Sequence, residues 1–246
     1  MLENIIAKIE GLDEAAMAAA KARQAMLTKP AGSLGRLEEL SIQLAGISGQ
    51  EIPAIKDKVI ITMAGDHGVV EEGVSAFPQE VTPQMVLNFL YGGAAINVLA
   101  KHVGARITIV DMGVAAEMEA HPLLVNKKVA RGTANMTKGP AMTREQAEEA
   151  ILAGVEVVEA EIEKGLDIIG TGDMGIGNTT PSAAIAAALT GIEPAKLAGR
   201  GTGVDDEGLK RKIDAIERAL KLNNPDPKDG LDILIKVGGF EIAGLV

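Results

Sequence analysis

The sequence predicts a three-layer α/β fold, in which a parallel sheet carries helices on both faces, with a small helical part at the N-terminus. Three observations lead there. Short, β-branched apolar runs alternate with longer helical patterns. These runs are continuous rather than alternating, as strands covered on both faces require. Each run passes directly into glycine and aspartate, the residues of a turn at a strand's carboxyl end.

Taken in order, Asp13 is the expected N-cap of an alanine-rich helix reaching about Leu27. Lys29–Gly35 (KPAGSLG) breaks that helix, and Arg36–Ala45 forms the next, apolar at Leu37, Leu40, Ile42 and Leu44. Lys58–Ala64 (KVIITMA) is the first strand and ends in Gly65, Asp66, His67 and Gly68. Beyond a loop to about Pro78, helices follow near Thr82–Leu90 and Gly93–Val103. Ala105–Val110 is the second strand, ending in Asp111, Met112 and Gly113. Thr143 and Gln146 form a capping box for a long helix to about Lys164. Leu166–Ile169 is the third strand, ahead of Gly170, Thr171, Gly172, Asp173, Met174 and Gly175. Thr180 and Pro181 read as N-cap and N1 proline of a helix to Thr190. Helices from about Gly208 to Leu222 and over Leu231–Val237 complete the chain. The expected organisation is a helical small-domain segment over 1–50 and an α/β domain over 51–246.

Composition narrows the function. The 246 residues are 47% hydrophobic and 24% charged, enough for a substantial core. The chain has no cysteine, which excludes disulfides and thiolate metal sites and suits a reducing cytoplasm. The net charge is −10 and no Lys/Arg run has the density of a nucleic-acid footprint. Aromatics at 2% argue against base-stacking platforms. The longest apolar stretch, Ala183–Leu189, is too short to span a bilayer, and Met1–Glu10 lacks a signal-peptide apolar region. A soluble, cytoplasmic protein with no membrane or nucleic-acid partner is expected.

The three strand ends are expected to converge, because ligands of open α/β sheets sit outside the carboxyl ends of strands. Gly170–Pro181 (GTGDMGIGNTTP) is the most informative stretch. Its glycines, including Gly172, Gly175 and Gly177, let backbone N–H groups approach a ligand, and the following helix start favours an anion. Asn178, Thr179 and Thr180 add polar partners. It is a phosphate cradle by physics, but neither a Walker loop nor a good dinucleotide fingerprint. The plain alternative is a glycine-rich turn, which needs fewer glycines. Asp173 repels phosphate, so it points either to a ribose hydroxyl or azole N–H, or simply to solvent. Asp66 and His67 are an acid/base pair, a metal pair, or a loop cap; with three histidines in the chain, metal is the poorer option. Lys29–Arg36 is a connector or a substrate-facing loop. Gly199, Arg200, Gly201, Thr202 and Gly203 resemble a second backbone nest, and Lys212 after it is either a phosphate-binding cation or a solvated lysine.

Seven segments in order carry a resemblance: KPAGSLGRLEEL, AGDHGVVEEGVSAFPQEVT, GGAAINVLA, VDMGV, VARGTANMTKGPAM, GTGDMGIGNTTP and KVGGFEIAGLV. Together they resemble the nicotinate-nucleotide–dimethylbenzimidazole phosphoribosyltransferase family, which builds the lower-ligand nucleotide of cobalamin. The resemblance implies a Rossmann-like sheet, a helical small domain made from both chain ends, a homodimer, and no metal or organic cofactor. The implied substrates are nicotinate mononucleotide and 5,6-dimethylbenzimidazole, and the products α-ribazole 5′-phosphate and nicotinate. An azole nitrogen attacks C1′ with inversion as the pyridinium leaves, so a general base must take the azole proton. A carboxylate near C1′ helps electrostatically, and alignment of two substrates supplies much of the rate.

On this resemblance Gly175, Gly177, Asn178, Thr179, Thr180 and Lys212 hold the nucleotide phosphate. Asp173 stands where some members have glutamate and is linked with substrate orientation. The stretch Ala64–Met85 helps line the base pocket; Phe77 and Met85 replace Ser and Gln of some members, leaving the base open. The chain ends at Val246 where members continue, and the glutamate taken as general base lies in that continuation. The expectation for these residues alone is weak turnover or nucleotide binding only. The rivals are a nucleotide-binding module without activity and another phosphosugar enzyme on the same scaffold.

Overall fold

The computed structural model describes residues 2–246, which divide between Lys56 and Asp57 into two compact units. The first holds α1 (Leu2–Ile6), α2 (Glu14–Met26) and α3 (Arg36–Ser48). Asp13 caps α2 as expected, its carboxylate accepting the Ala16 N–H at 2.9 Å. Ala16, Ala20 and Ala45 bury the contact between α2 and α3. A Cβ at Gly46 would stand 2.6 Å from Met17 Cγ, so only glycine lets these two helices approach so closely.

The second unit contains β1 (Lys58–Gly65), β2 (Arg106–Gly113), β3 (Leu124–Asn126) and β4 (Ile168–Met174). They form one parallel sheet in the order β3-β2-β1-β4. Helices α4 (Val81–Leu90), α5 (Ala95–Val103), α6 (Arg144–Glu163), α7 (Thr179–Thr190), α8 (Pro194–Leu197), α9 (Asp206–Asn223), α10 (Gly230–Val237) and α11 (Phe240–Gly244) complete it, with a 3-10 turn at Gly68–Glu72. The Thr143/Gln146 capping box is present at the start of α6.

Successive side chains of a strand point to opposite faces. Ala64 and Ile109 join the apolar cluster of α4 residues Val86 and Phe89. Met63 and Met112, of opposite parity, meet Gly244 of α11. Helices therefore cover both faces, with α4 on one and α11 on the other. Beside the sheet, α7, α9 and α10 share a cluster built on Ala184, Ala215, Ile216 and Ile233.

Among the strands, three features differ from the sequence reading, and α8, α11 and the 3-10 turn were not expected either. The short strand β3 was not expected; three residues at a sheet edge carry little periodicity. β2 runs on through Asp111–Gly113, beyond its apolar run. β4 begins later than Leu166 and extends through GTGDM to Met174. Its start is delayed because the Asp167 and Ile168 N–H groups donate to Asp57 O at 2.8 and 3.2 Å. Its polar end is tolerated because β4 lies at the sheet's edge, where Thr171 and Asp173 face solvent. Gly170 opposes Ile60, and a Cβ there would come within 2.6 Å of Ile60 Cδ1. The glycines of this stretch are partly packing residues of a strand.

A very tight backbone approach joins α6 to α11. A Cβ at Gly154 would stand 2.1 Å from Gly244 O. Gly154→Ala should therefore cost about 2 kcal/mol of unfolding free energy by forcing the two helices apart, read as a lower urea midpoint at unchanged slope.

Candidate active site

The parallel register brings the carboxyl ends of β1, β2 and β4 side by side, with Gly65 opposite Gly113 and Ala64 opposite Met174. The chain leaves these ends through Asp66–His67, Val114–Ala115 and Gly175–Asn178. The expected convergence of the three glycine–aspartate ends is thus realised.

At β4 the turn is shorter than the sequence suggests. Gly172 lies within the strand opposite Thr62, and Asp173 is its penultimate, solvent-exposed residue. Asn178, rather than Thr180, is the N-cap residue of α7. Pro181 consequently falls at the third helical position, where its missing N–H would have had no partner in any case. The Asn178 amide donates to the Asp173 carboxylate instead of capping the helix. Gly177 has φ +87° and sits against Val70, where a Cβ would come within 2.6 Å of Val70 Cγ2. Three backbone amides of this region are already used: Ile176 N donates to Thr82 Oγ1 at 3.0 Å, Asn178 N to Gly175 O at 3.1 Å, and Thr180 N to Gly177 O at 3.0 Å. The Thr180 hydroxyl is fully buried without a partner.

Lys212 comes in from α9. It is 1% exposed, and its Nζ donates to Thr179 Oγ1 at 3.0 Å and Gly199 O at 3.1 Å. Both acceptors are neutral, and among the described residues no carboxylate pairs with it. Burial holds its ammonium below the usual lysine range. The loop carrying Gly201, Thr202 and Gly203 folds over this amine: a Cβ at Gly201 would lie 2.9 Å from Thr179 Oγ1 and 3.1 Å from Lys212 Nζ. Gly201 and Gly203 both have positive φ, +55° and +104°. Thr202 is exposed between them.

Asp66 and His67 are both fully buried, behind rather than at the strand mouths. Asp66 Oδ2 accepts the Ala115 N–H at 2.8 Å, which ties the ends of β1 and β2. Burial raises its carboxyl above the ordinary range, against hydrogen bonds that lower it. His67 Nε2 lies 2.9 Å from Glu241 Oε1, both side chains at zero exposure. The approach is an ion-pair distance without hydrogen-bond alignment, so both ring nitrogens and both carboxylate oxygens lack an aligned partner. Burial opposes a charged ring, but the Glu241, Asp66 and Asp173 carboxylates outweigh it and raise His67 above the ordinary histidine range. Among the described residues no group of three or more His, Cys, Asp or Glu is arranged to hold a metal. Asp111, at the end of β2, pairs with Lys128 at 3.3 Å.

Phe77 is exposed ahead of α4, and Met85 is half-buried on α4 against the cluster that includes Met174. An apolar cavity of about 320 Å³ lies elsewhere, between α6 and the sheet beside Ile61, Met63 and Ile169. Its one titratable lining residue is Glu159, and it shares no residue with this site.

Sequence reasoning missed Glu241. Its signal was a lone carboxylate in the apolar segment GGFEIAGLV, where a surface role runs against the pattern. It also missed the network that anchors the Gly68–Glu72 turn: Glu72 accepts Arg218 at 2.7 Å, Asn135 at 2.8 Å and Thr137 at 2.9 Å.

A family model described as phosphoribosyltransferase matches residues 9–246. The chain belongs to that family. It is 60% identical over 245 residues to a protein of Roseiflexus sp. (strain RS-1) named nicotinate-nucleotide–dimethylbenzimidazole phosphoribosyltransferase, covering 100% of this chain and 69% of that one. A protein of the same name from Chloroflexus aggregans is 58% identical with the same coverage. The crystal structure of CobT from Thermus thermophilus superposes with a TM-score of 0.90 at 48% identity, covering 94% of this chain and 69% of that chain.

Glu72 provides a pH test of the geometry. Arg218, then Asn135, hold its carboxyl down at about 2. A carboxyl lowered on folding stabilises above its unfolded value and loses that contribution as pH falls through its folded one. Unfolding free energy should therefore drop as pH falls from about 4.5 to about 2. Glu72→Gln should remove about 1 kcal/mol of that drop, a figure reduced for the solvent exposure of Arg218, as measured by denaturation at each pH.

Proposed function

We propose that this chain transfers the phosphoribosyl group of nicotinate mononucleotide to 5,6-dimethylbenzimidazole or a related base. The products are nicotinate and α-ribazole 5′-phosphate, for the lower ligand of cobalamin. The observation that carries the reading, beyond relatives of that name at 60% and 58% identity, is the buried cation without a counter-charge. An ammonium at 1% exposure with only neutral partners is costly, and a phosphate at the same spot would remove that cost.

In this reading Lys212, Thr179 and the Gly201–Gly203 nest take the 5′-phosphate, with Gly175, Gly177 and the start of α7 beside it. Asn178 holds Asp173 toward the ribose, where its negative charge favours the oxocarbenium-like carbon. Phe77 and Met85 offer an apolar side to the incoming base. The azole nitrogen forms its bond to C1′ as the bond from C1′ to the pyridinium nitrogen breaks. Nicotinate leaves with that electron pair, and a general base takes the azole proton. No metal or organic cofactor enters. A homodimer working in the cytoplasm completes the reading, supported by the lack of cysteine and by exposed Val98, Leu99 and Val103 on α5. In addition, no helix is long and apolar enough to cross a membrane among the described residues.

The direct test incubates the protein with both substrates and follows nicotinate release; absence of release with intact nucleotide binding would leave a binding module. Lys212→Ala should weaken nicotinate mononucleotide binding about tenfold or more, the loss of one charge-assisted contact to phosphate, measured by calorimetry. For Asp173→Ala the expected outcome is a dissociation constant within about twofold of wild type and turnover reduced about a hundredfold.

A further inference from the structure

We propose that His67 and Glu241 form a charged positioning pair, an imidazolium against a carboxylate, which sets where the nucleotide loop Gly175–Asn178 stands. The inference rests on the function proposed above for the meaning of the loop, but not for the state of the pair.

The geometry comes first. The pair lies directly behind the strand mouths, packed against backbone on three sides. A Cβ at Gly175 would stand 2.1 Å from Gly65 O and 3.2 Å from His67 Nε2. At Gly65 it would meet Glu241 Oε2 at 2.7 Å, and at Gly239 it would meet His67 Cε1 at 2.6 Å. Three glycines from β1, the β4 loop and the approach to α11 thus form the walls of one small chamber holding two polar side chains. The imidazole touches the first residue of the loop, and the carboxylate touches the last residue of β1. Phe240, the neighbour of Glu241, packs on Gly113 in the same way, 2.7 Å from where its Cβ would be. Any shift of the pair is therefore transmitted to the ends of β1, β2 and β4.

Charge decides the state of the pair. The groups bearing on the ring are Glu241 from α11, Asp66 from the end of β1 and Asp173 from β4, all carboxylates. A neutral ring would leave Glu241 buried at zero exposure with no cation beside it. The partners also lack aligned hydrogen bonds, so the contact holds through charge, and removing one charge exposes the full cost of the other. The backbone of Gly65, Gly175 and Gly239 walls both side chains off from the strand mouths; they act through Gly175.

Nitrogen-15 NMR of the full chain tests the state, with the His67 signals assigned by their loss in His67→Gln. Both ring nitrogens should carry protons at about pH 7.5, above the ordinary histidine range, and Glu241→Gln should convert the ring to the neutral form. Calorimetry tests the consequence. Each single variant should bind nicotinate mononucleotide about tenfold more weakly, and the double variant should lose less than the product of the two. A neutral His67 ring in the wild-type chain would overturn the proposal. So would folded single variants that bind as wild type, or a double variant whose losses simply multiply. If the wild-type chain binds no nicotinate mononucleotide, the function proposed above falls, while the NMR signature still decides the charge of the pair.

Discussion

The carboxyl end of this sheet is organised around a buried ion contact walled by glycine. His67 and Glu241 meet at 2.9 Å with no solvent exposure. A charge in such a place is tolerated only with an opposite charge beside it. That requirement forces α11 up against β1, and the approach is sterically open only because residues 65, 175 and 239 have no side chain. The same closeness recurs at Gly113 under Phe240 and at Gly154 under Gly244. High glycine content in this chain therefore serves packing around the strand mouths as much as ligand approach.

Around that fixed point the site divides into two layers. The inner layer is buried: Asp66, His67, Thr82, Thr180 and Glu241 have no solvent exposure, and all but Thr180 contact a neighbouring element. The outer layer consists of Asp173 with Asn178, the start of α7, and the Gly201–Gly203 loop over Lys212. The inner layer can hold geometry but cannot touch a ligand. The outer layer contains the one feature that asks for an anion, an ammonium buried among neutral oxygens. Membership of the phosphoribosyltransferase family gives that request a chemical identity.

The acidic balance of the chain fits this division. A net charge of −10 repels phosphate at long range. Binding must then come from a local arrangement in which desolvation strengthens a single cation, rather than from a basic surface. Similarly, the Glu72–Arg218–Asn135 network fixes the Gly68–Glu72 turn on α9, the helix that bears Lys212. The segment after His67 and α9 are thereby braced against each other.

Much of this was legible in the residues. Continuous apolar runs identified β1 and β2 as buried parallel strands; β4 is a parallel strand as expected, but at the sheet's edge none of its residues is buried, and Ile168 and Ile169 are exposed. Asp13 and the Thr143/Gln146 box located helix starts, since caps act over three residues. The glycine–aspartate ends announced a shared mouth, and the segment resemblance announced the family. What the sequence could not decide was where polarity is tolerated. Whether GTGDM is loop or strand depends on β4 lying at the sheet's edge, a matter of topology. Whether Lys212 is solvated or buried depends on the Gly201–Gly203 loop closing over it. Whether His67 binds ligand, metal or protein depends on Glu241, some 170 residues away in the chain. Local propensity acts over a few residues, whereas burial and charge pairing are set by which distant elements pack together, and only the tertiary structure holds that information.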